Sequence, residues 1–147
     1  MDMKAQESTV GRLGYRMRVF EASRASEFQA AARNMVAWRA QALTLSDVVW
    51  GTVTHAIEFA LRHRFPSAAS NSQFALDGGL VSFHIDADEL PKVAAQYIDN
   101  ILRGALPAGL PVAMPGRYHL HVNLKTARAI GVTVPQSILL RADQVIE

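Results

Sequence analysis

The sequence predicts a three-layer α/β domain, with a mostly parallel sheet flanked by helices. Three observations carry that expectation. Short apolar runs of strand length alternate with segments of about 10–15 residues whose apolar positions recur at helical spacing, the pattern of βαβ units. At 147 residues the chain has room for one compact core. Half of its residues are apolar and 19% are charged, an ordinary globular balance that argues against disorder.

The elements follow in order. Residues 1–13 read as the tail of a helix closed by Gly14. Tyr15 to Ala22 alternate, with Tyr15, Met17 and Val19 on one face, and predict a strand. Ser23 or Ser26 caps a helix over Glu27 to Arg39, whose Phe28, Ala31, Ala32, Met35 and Trp38 share a face. Ala42 to Leu45 is a buried parallel strand opening into a loop at Ser46-Asp47. A helix over 52–64 presents Val53, Ile57, Ala60 and Leu61 and stops at Pro66. Ser67 to Ser70 and Leu80 to His84 are the next two strands, separated by the break at Gly78-Gly79. Asp88 caps a helix over Glu89 to Arg103, with Leu90, Val93, Ala94, Tyr97, Ile101 and Leu102 facing in and Gly104 ending it. The proline- and glycine-rich stretch ALPAGLPVAMPG is an extended connection. Tyr118 to Asn123 is a strand, Leu124 to Ile130 a short helix ended by Gly131, and Pro135 to Ala142 a last helix.

Several function classes fall away on composition. Fifteen Lys and Arg against 13 Asp and Glu leave a net charge of +2, with no cationic cluster, so no nucleic-acid partner is expected. The absence of cysteine excludes disulfides and thiolate metal sites. No apolar run approaches the roughly 20 residues of a membrane span, and the polar start MDMKAQESTVGRLG has no apolar core of a secretory signal. GRLG at 11–14 precedes a strand instead of following one, so it is a turn and not a phosphate loop. No serine stands in a nucleophile elbow and no acidic residues are paired by spacing, so no enzyme and no cofactor are expected.

What goes further is the wording of the C-terminal half. NLKTARAIGVTVPQSILLRADQVIE, from Asn123 to Glu147, closely resembles the closing segment of a family of ABC-transporter substrate-binding proteins. DGGLVSF, YIDNILRGALPAGLPVAMPGRYHLHVN and LGYRMRVFEASRASEFQAAARNM resemble that family's upstream signatures in the same order, so that the resemblance covers about residues 8 to 147. It implies one lobe of a type I periplasmic-binding-protein fold, residues 1–147 forming a single second lobe with the first lobe and signal peptide absent. It also implies a small solute, an amino acid among the expected kinds, held in an inter-lobe cleft, and an ABC permease as partner. The family is periplasmic, whereas the chain as written, without a signal, is expected in the cytoplasm. The alternative reading is a cytoplasmic sensor or interaction module that forms a homodimer through the former inter-lobe surface.

In α/β sheets ligands gather at the carboxyl ends of strands, here Glu21–Ser23, Ser46–Val49, Ser70–Ser72 and Phe83–Asp86. The ligand-binding candidates are therefore Ser46, Asp47, Trp50, Phe83 and His84. Asp47 either accepts from a ligand ammonium group or caps the following helix. Trp50 either stacks on a ligand or packs. Phe83 and His84 stand where the family usually has Tyr-Gly, and Ser46-Asp47-Val48-Val49-Trp50 replaces its short Asp-Pro loop, so both departures fall on the ligand side. His119 and His121 alternate on one strand face without a third ligand nearby, and no metal is expected. Asn123 and Lys125 are expected to dock the last helix.

Overall fold

The computed structural model describes residues 3–46, 50–86, 88–112 and 116–147. Among these, five strands form one sheet in the order β1 (Leu43–Leu45), β2 (Ser67–Ala69), β3 (Val81–Ile85), β4 (Tyr118–Asn123) and β5 (Gln144–Ile146). β1, β2 and β3 run parallel, β4 turns antiparallel to β3, and β5 is parallel to β4. Helices α1 (Met3–Arg12), α2 (Ala25–Ala37), α3 (Trp50–His63), α4 (Glu89–Leu102), α5 (Leu124–Ile130) and α6 (Gln136–Leu139) connect them. The expected α/β class with a mostly parallel, helix-flanked sheet is what forms.

The core follows the helical spacing. Phe28, Ala31 and Met35 of α2 pack on Ala56 and Phe59 of α3, with Leu43 and Leu45 of β1 beneath them. Val53 and Ile57, also of α3, close on Ala69 and the fully buried Phe74. Leu80, Ala127 and Ile130 make a third apolar group that seats α5. Gly131 ends α5 in the left-handed conformation (φ 76°), which costs glycine no Cβ clash. At Gly79 a Cβ would collide with the Phe74 ring, so this position must also be glycine.

Three expectations are corrected. Tyr15 to Ala22 is not a strand: the segment forms no ladder, and its alternation breaks after Arg18, where Phe20 and Ala22 turn in against α2 and α3 while Val19 is exposed. Alternation fixes an extended backbone, but a strand also needs a paired neighbour. The expected caps differ as well. Arg24, not a serine, precedes α2, and the Ser23 amide donates to the Glu27 carboxylate (2.8 Å). Asp88 makes no side-chain cap; Asp86 takes that work, accepting from the Asp88 amide on Oδ1 (2.9 Å) and from the Glu89 amide on its carbonyl (3.2 Å).

The third correction is the largest. The apolar face of α4 does not turn into the core. No residue of α4 is buried, and Leu90, Ile98, Ile101 and Leu102 are exposed, Leu102 at 81%. Amphipathic spacing predicts that a helix has an apolar face, but not that the same chain covers it.

A polar network ties the turn 71–79 to the sheet. The Ala75 amide donates to the fully buried Ser82 hydroxyl (2.8 Å), and the Asn123 amide group donates to the Ala75 carbonyl (2.8 Å). Asn123 Oδ1 then accepts from the Thr126 amide (3.0 Å), capping α5, while the Thr126 hydroxyl donates to the Gly78 carbonyl (2.8 Å). Asn123→Ala is expected to lower unfolding stability by about 1–3 kcal/mol, since it removes a helix cap and the shorter of the two hydrogen bonds to the buried Ala75 carbonyl, leaving it only the Gly78 amide (3.3 Å). Urea denaturation of the variant beside the parent chain measures this, and a loss under about 0.5 kcal/mol would contradict it.

Candidate functional site

The short strands β1 and β2 end while β3 and β4 run on, so a two-stranded ribbon projects past the carboxyl edge of the parallel part of the sheet. The register sets Leu45 beside Ala69 and Ala69 beside Ser82. The next residues, Ser46, Ser70 and Phe83, therefore fall in one row across the three strand ends. Strand spacing of about 4.8 Å puts the outer two of that row roughly 10 Å apart.

The ribbon has two chemically different faces, because side chains alternate along each strand. On one, Phe83 stacks on Tyr118 with ring centroids 5.2 Å apart and planes within 6°. Both remain open to solvent, at 54% and 45%. The opposite face carries Ser82, His84, His119 and His121, with His84 directly across from His119 and Ser82 across from His121. The His84 ring lies 4.7 Å from His121 and 5.6 Å from His119, centroid to centroid.

Two carboxylates complete this second face. His119 Nε2 is 3.3 Å from Asp86 Oδ2, and its Nδ1 is 3.4 Å from Asp143 Oδ1. The Asp88 amide, and then His119, hold the Asp86 carboxyl below its usual range. The Leu120 amide, and then His119, do the same for Asp143. The His84 pKa is also lowered, below the usual imidazole value, by partial burial first and then by the neighbouring His121 and His119. The Nδ1 atoms of His84 and His121 are buried and accept or donate no hydrogen bond.

The predicted residues do not all meet. Ser46 is exposed and lines a cavity of about 210 Å³ between the free edge of β1, the segment 16–22 and Phe28, Met35, Trp38 and Phe65. Asp47 lies outside the described residues; Trp50 opens α3, and its side chain lies outside them too. Phe83 shares the row of Ser46, while His84 turns to the opposite face of the sheet. Sequence reasoning missed Tyr118, Asp86 and Asp143, which become neighbours only through the antiparallel return of β4 and the arrival of β5. The HxH spacing at 119 and 121 was the available signal for the histidine face. Among the described residues, no three His, Cys, Asp or Glu side chains are gathered to hold a metal ion, and no helix is long and apolar enough to cross a membrane.

The 210 Å³ cavity is smaller than the roughly 300–1,000 Å³ of a complete small-molecule pocket, and the aromatic pair faces open solvent. Among the described residues, the aromatic pair and Ser46 do not enclose a pocket of that size.

Comparison with known proteins shows the same fold. Over 97% of its length the chain superposes on a conserved domain protein from Vibrio cholerae O1 biovar El Tor (TM-score 0.83, 21% identity), spanning 49% of that chain. It superposes equally on an ABC domain from Streptococcus pneumoniae solved in complex with L-Trp (TM-score 0.82, 23% identity, 97% of this chain and 50% of that one). A ligand-free, open substrate-binding protein with adhesive properties from Clostridium difficile is more distant in shape (TM-score 0.65, 18% identity, 97% and 48%). The chain thus spans about half the length of the solved proteins it matches. No protein of curated function gives a significant match. The family model for ABC transporter substrate binding proteins matches residues 2–146, and the chain belongs to that family.

Proposed function

We propose that residues 1–147 form one lobe of the solute-binding component of an ABC-type importer, presenting one wall of a cleft that takes a small solute such as an amino acid. The observation that carries this reading is the exposed Phe83–Tyr118 pair, standing at the carboxyl ends of the strands in the row of Ser46 and Ser70. An exposed stacked aromatic pair has a large apolar surface to gain from covering a planar or apolar solute group, while the flanking serines supply hydroxyls for its polar atoms. The L-Trp bound to the Streptococcus pneumoniae relative supports an amino acid, aromatic ones foremost. A first lobe would close over this wall, because a ligand touching both lobes favours the closed state by its extra contacts there. The partner in that setting is an ABC permease.

A thermal-shift screen with amino acids and related small solutes tests the assignment. One compound is expected to raise Tm saturably, following RT ln(1 + [L]/Kd). Phe83→Ala is expected to abolish that rise while changing the stability of the free chain by less than about 1 kcal/mol, because Phe83 is more than half exposed. No saturable shift with any compound, or an undiminished shift in the variant, would overturn the placement of the site.

A second reading, a cytoplasmic sensor or interaction module that dimerises, has its own observation: the uncovered apolar face of α4. A face of that kind on a lone lobe favours burial against another copy. Sedimentation velocity at tens of micromolar is expected to show dimer in the parent chain and monomer in Ile98→Glu. A clean monomer of the parent removes this reading and leaves the first untouched.

A further inference from the structure

The chain from Asp86 to Arg117 leaves the sheet at the end of β3, forms α4 and the turn Pro107–Gly109, and returns at the start of β4. Its two ends meet at one point: the Asp86 amide donates to the Arg117 carbonyl (3.1 Å), next to the Ile85–Tyr118 pair. Asp86 also holds the first turn of α4 through the Asp88 and Glu89 amides, and the Glu89 carboxylate accepts from the Gly116 amide (3.2 Å). Since no residue of α4 is fully buried, this root is a principal point at which the arm is fastened.

His119 sits on the root and joins it to the last strand, with Asp86 on one nitrogen and Asp143 on the other. A doubly protonated His119 donates to both carboxylates at once. His84 and His121 face the same spot without a carboxylate of their own, and their Nδ1 atoms are buried and unpartnered. Three imidazoles thus share two carboxylates, and both carboxylates are already engaged by His119. The charged and titratable groups acting on the cluster come from β3 (His84), the turn after it (Asp86), the approach to β4 (Arg117), β4 itself (His119, His121) and the approach to β5 (Asp143).

We propose that His84, His119 and His121 form an acid-sensitive latch: one proton on the cluster holds the root of the α4 arm, and further protonation forces the β3–β4 ribbon apart and frees the arm. A second imidazolium must lie within 4.7–6.4 Å of the first, with no uncommitted carboxylate to offset it. A histidine whose folded-state pKa is depressed contributes stability that is present above its unfolded value and is lost as pH falls through the folded one. His84 has such a depressed pKa, while Asp86 and Asp143, held low, stay ionised through that window. Because Phe83 and His84 are adjacent on β3 and face opposite ways, opening the histidine face also displaces the aromatic one.

Amide exchange followed by NMR at about pH 7.5 and about pH 5.5, corrected for intrinsic rates, reads the latch directly, since these values bracket the ordinary histidine range. Protection at the ribbon and the first turn of α4 is expected to fall about tenfold on acidification in the parent chain, with α2 and α3 unchanged. His84→Gln and His121→Gln, separately and together, are expected to flatten that change, each removing a proton acceptor without a carboxylate of its own. His55→Gln on α3, another histidine with an unpartnered buried Nδ1, is expected to leave the change intact. Equal loss of protection in the parent and in both single variants, a loss spread over α2 and α3, or none in the parent would each overturn the latch. Should the double variant fail to fold, the two single variants decide the question.

Discussion

The link from Asn123 to Ala75 is the interaction on which the rest of this sheet depends. β2 and β3 are parallel neighbours joined by a run of turns and no helix, an uncommon connection that leaves the backbone of residues 70–80 without a ladder of its own. Backbone bonds inside the turn, such as the Gly79 amide to the Phe74 carbonyl (2.8 Å), satisfy some of these groups, and side chains supply the rest. Ser82 receives the Ala75 amide, Asn123 binds the Ala75 carbonyl, Thr126 binds the Gly78 carbonyl and Ser67 receives the Leu80 amide. With those groups satisfied, Phe74 can be buried completely beneath α3. Asn123 serves a second purpose in the same place, since its side-chain oxygen starts α5. One residue therefore fixes the turn before β3, the end of β4 and the helix that follows.

That economy explains what was legible in the sequence and what was not. Helices α2, α3 and α5 and strands β1 to β4 could be read because their signals are local: apolar spacing, a stop at Pro66, a glycine at 131. The Asn-Leu-Lys-Thr-Ala run that carries the family resemblance contains two residues of the network, Asn123 and Thr126, so motif and fold are supported in part by the same atoms. β5 was missed because Gln144, Val145 and Ile146 form a strand only by lying beside β4. The segment 15–22 failed in the opposite sense. Its pattern is that of a strand, yet the free edge of β1 nearest to it borders a cavity instead of a ladder.

The site divides along the same line. Ser46, Phe83 and His84 could be nominated because strand ends in parallel sheets are where ligands gather. Alternation along β3 puts Phe83 and His84 on opposite sides of one ribbon, and register decides which residues of β4 each meets. Tyr118 and Asp143 are distant in sequence from β3, and only the antiparallel return of β4 and the parallel arrival of β5 bring them beside it. Two chemistries result within one pair of strands: a solvent-facing aromatic surface suited to contact, and a histidine–carboxylate surface suited to hold or give up protons.

The α4 arm shows how far amphipathicity can be taken as information. Its apolar spacing is as regular as that of α3, yet α3 is covered and α4 is not. A pattern of this kind records that a helix was selected to be covered; it carries nothing about which chain does the covering. The solved proteins that share this fold have about twice the chain, and their extra half has the size of another lobe. With Glu89, Val93, Tyr97 and Asn100 half-buried and the rest of α4 exposed, the arm is held chiefly at its root, where the Asp86 amide meets the Arg117 carbonyl. Strength at that root then matters more than packing along the helix. The root is where His119 stands between Asp86 and Asp143, so the freedom of the arm is set by a few polar contacts at its base, and those contacts answer to pH where a hydrophobic seam would not.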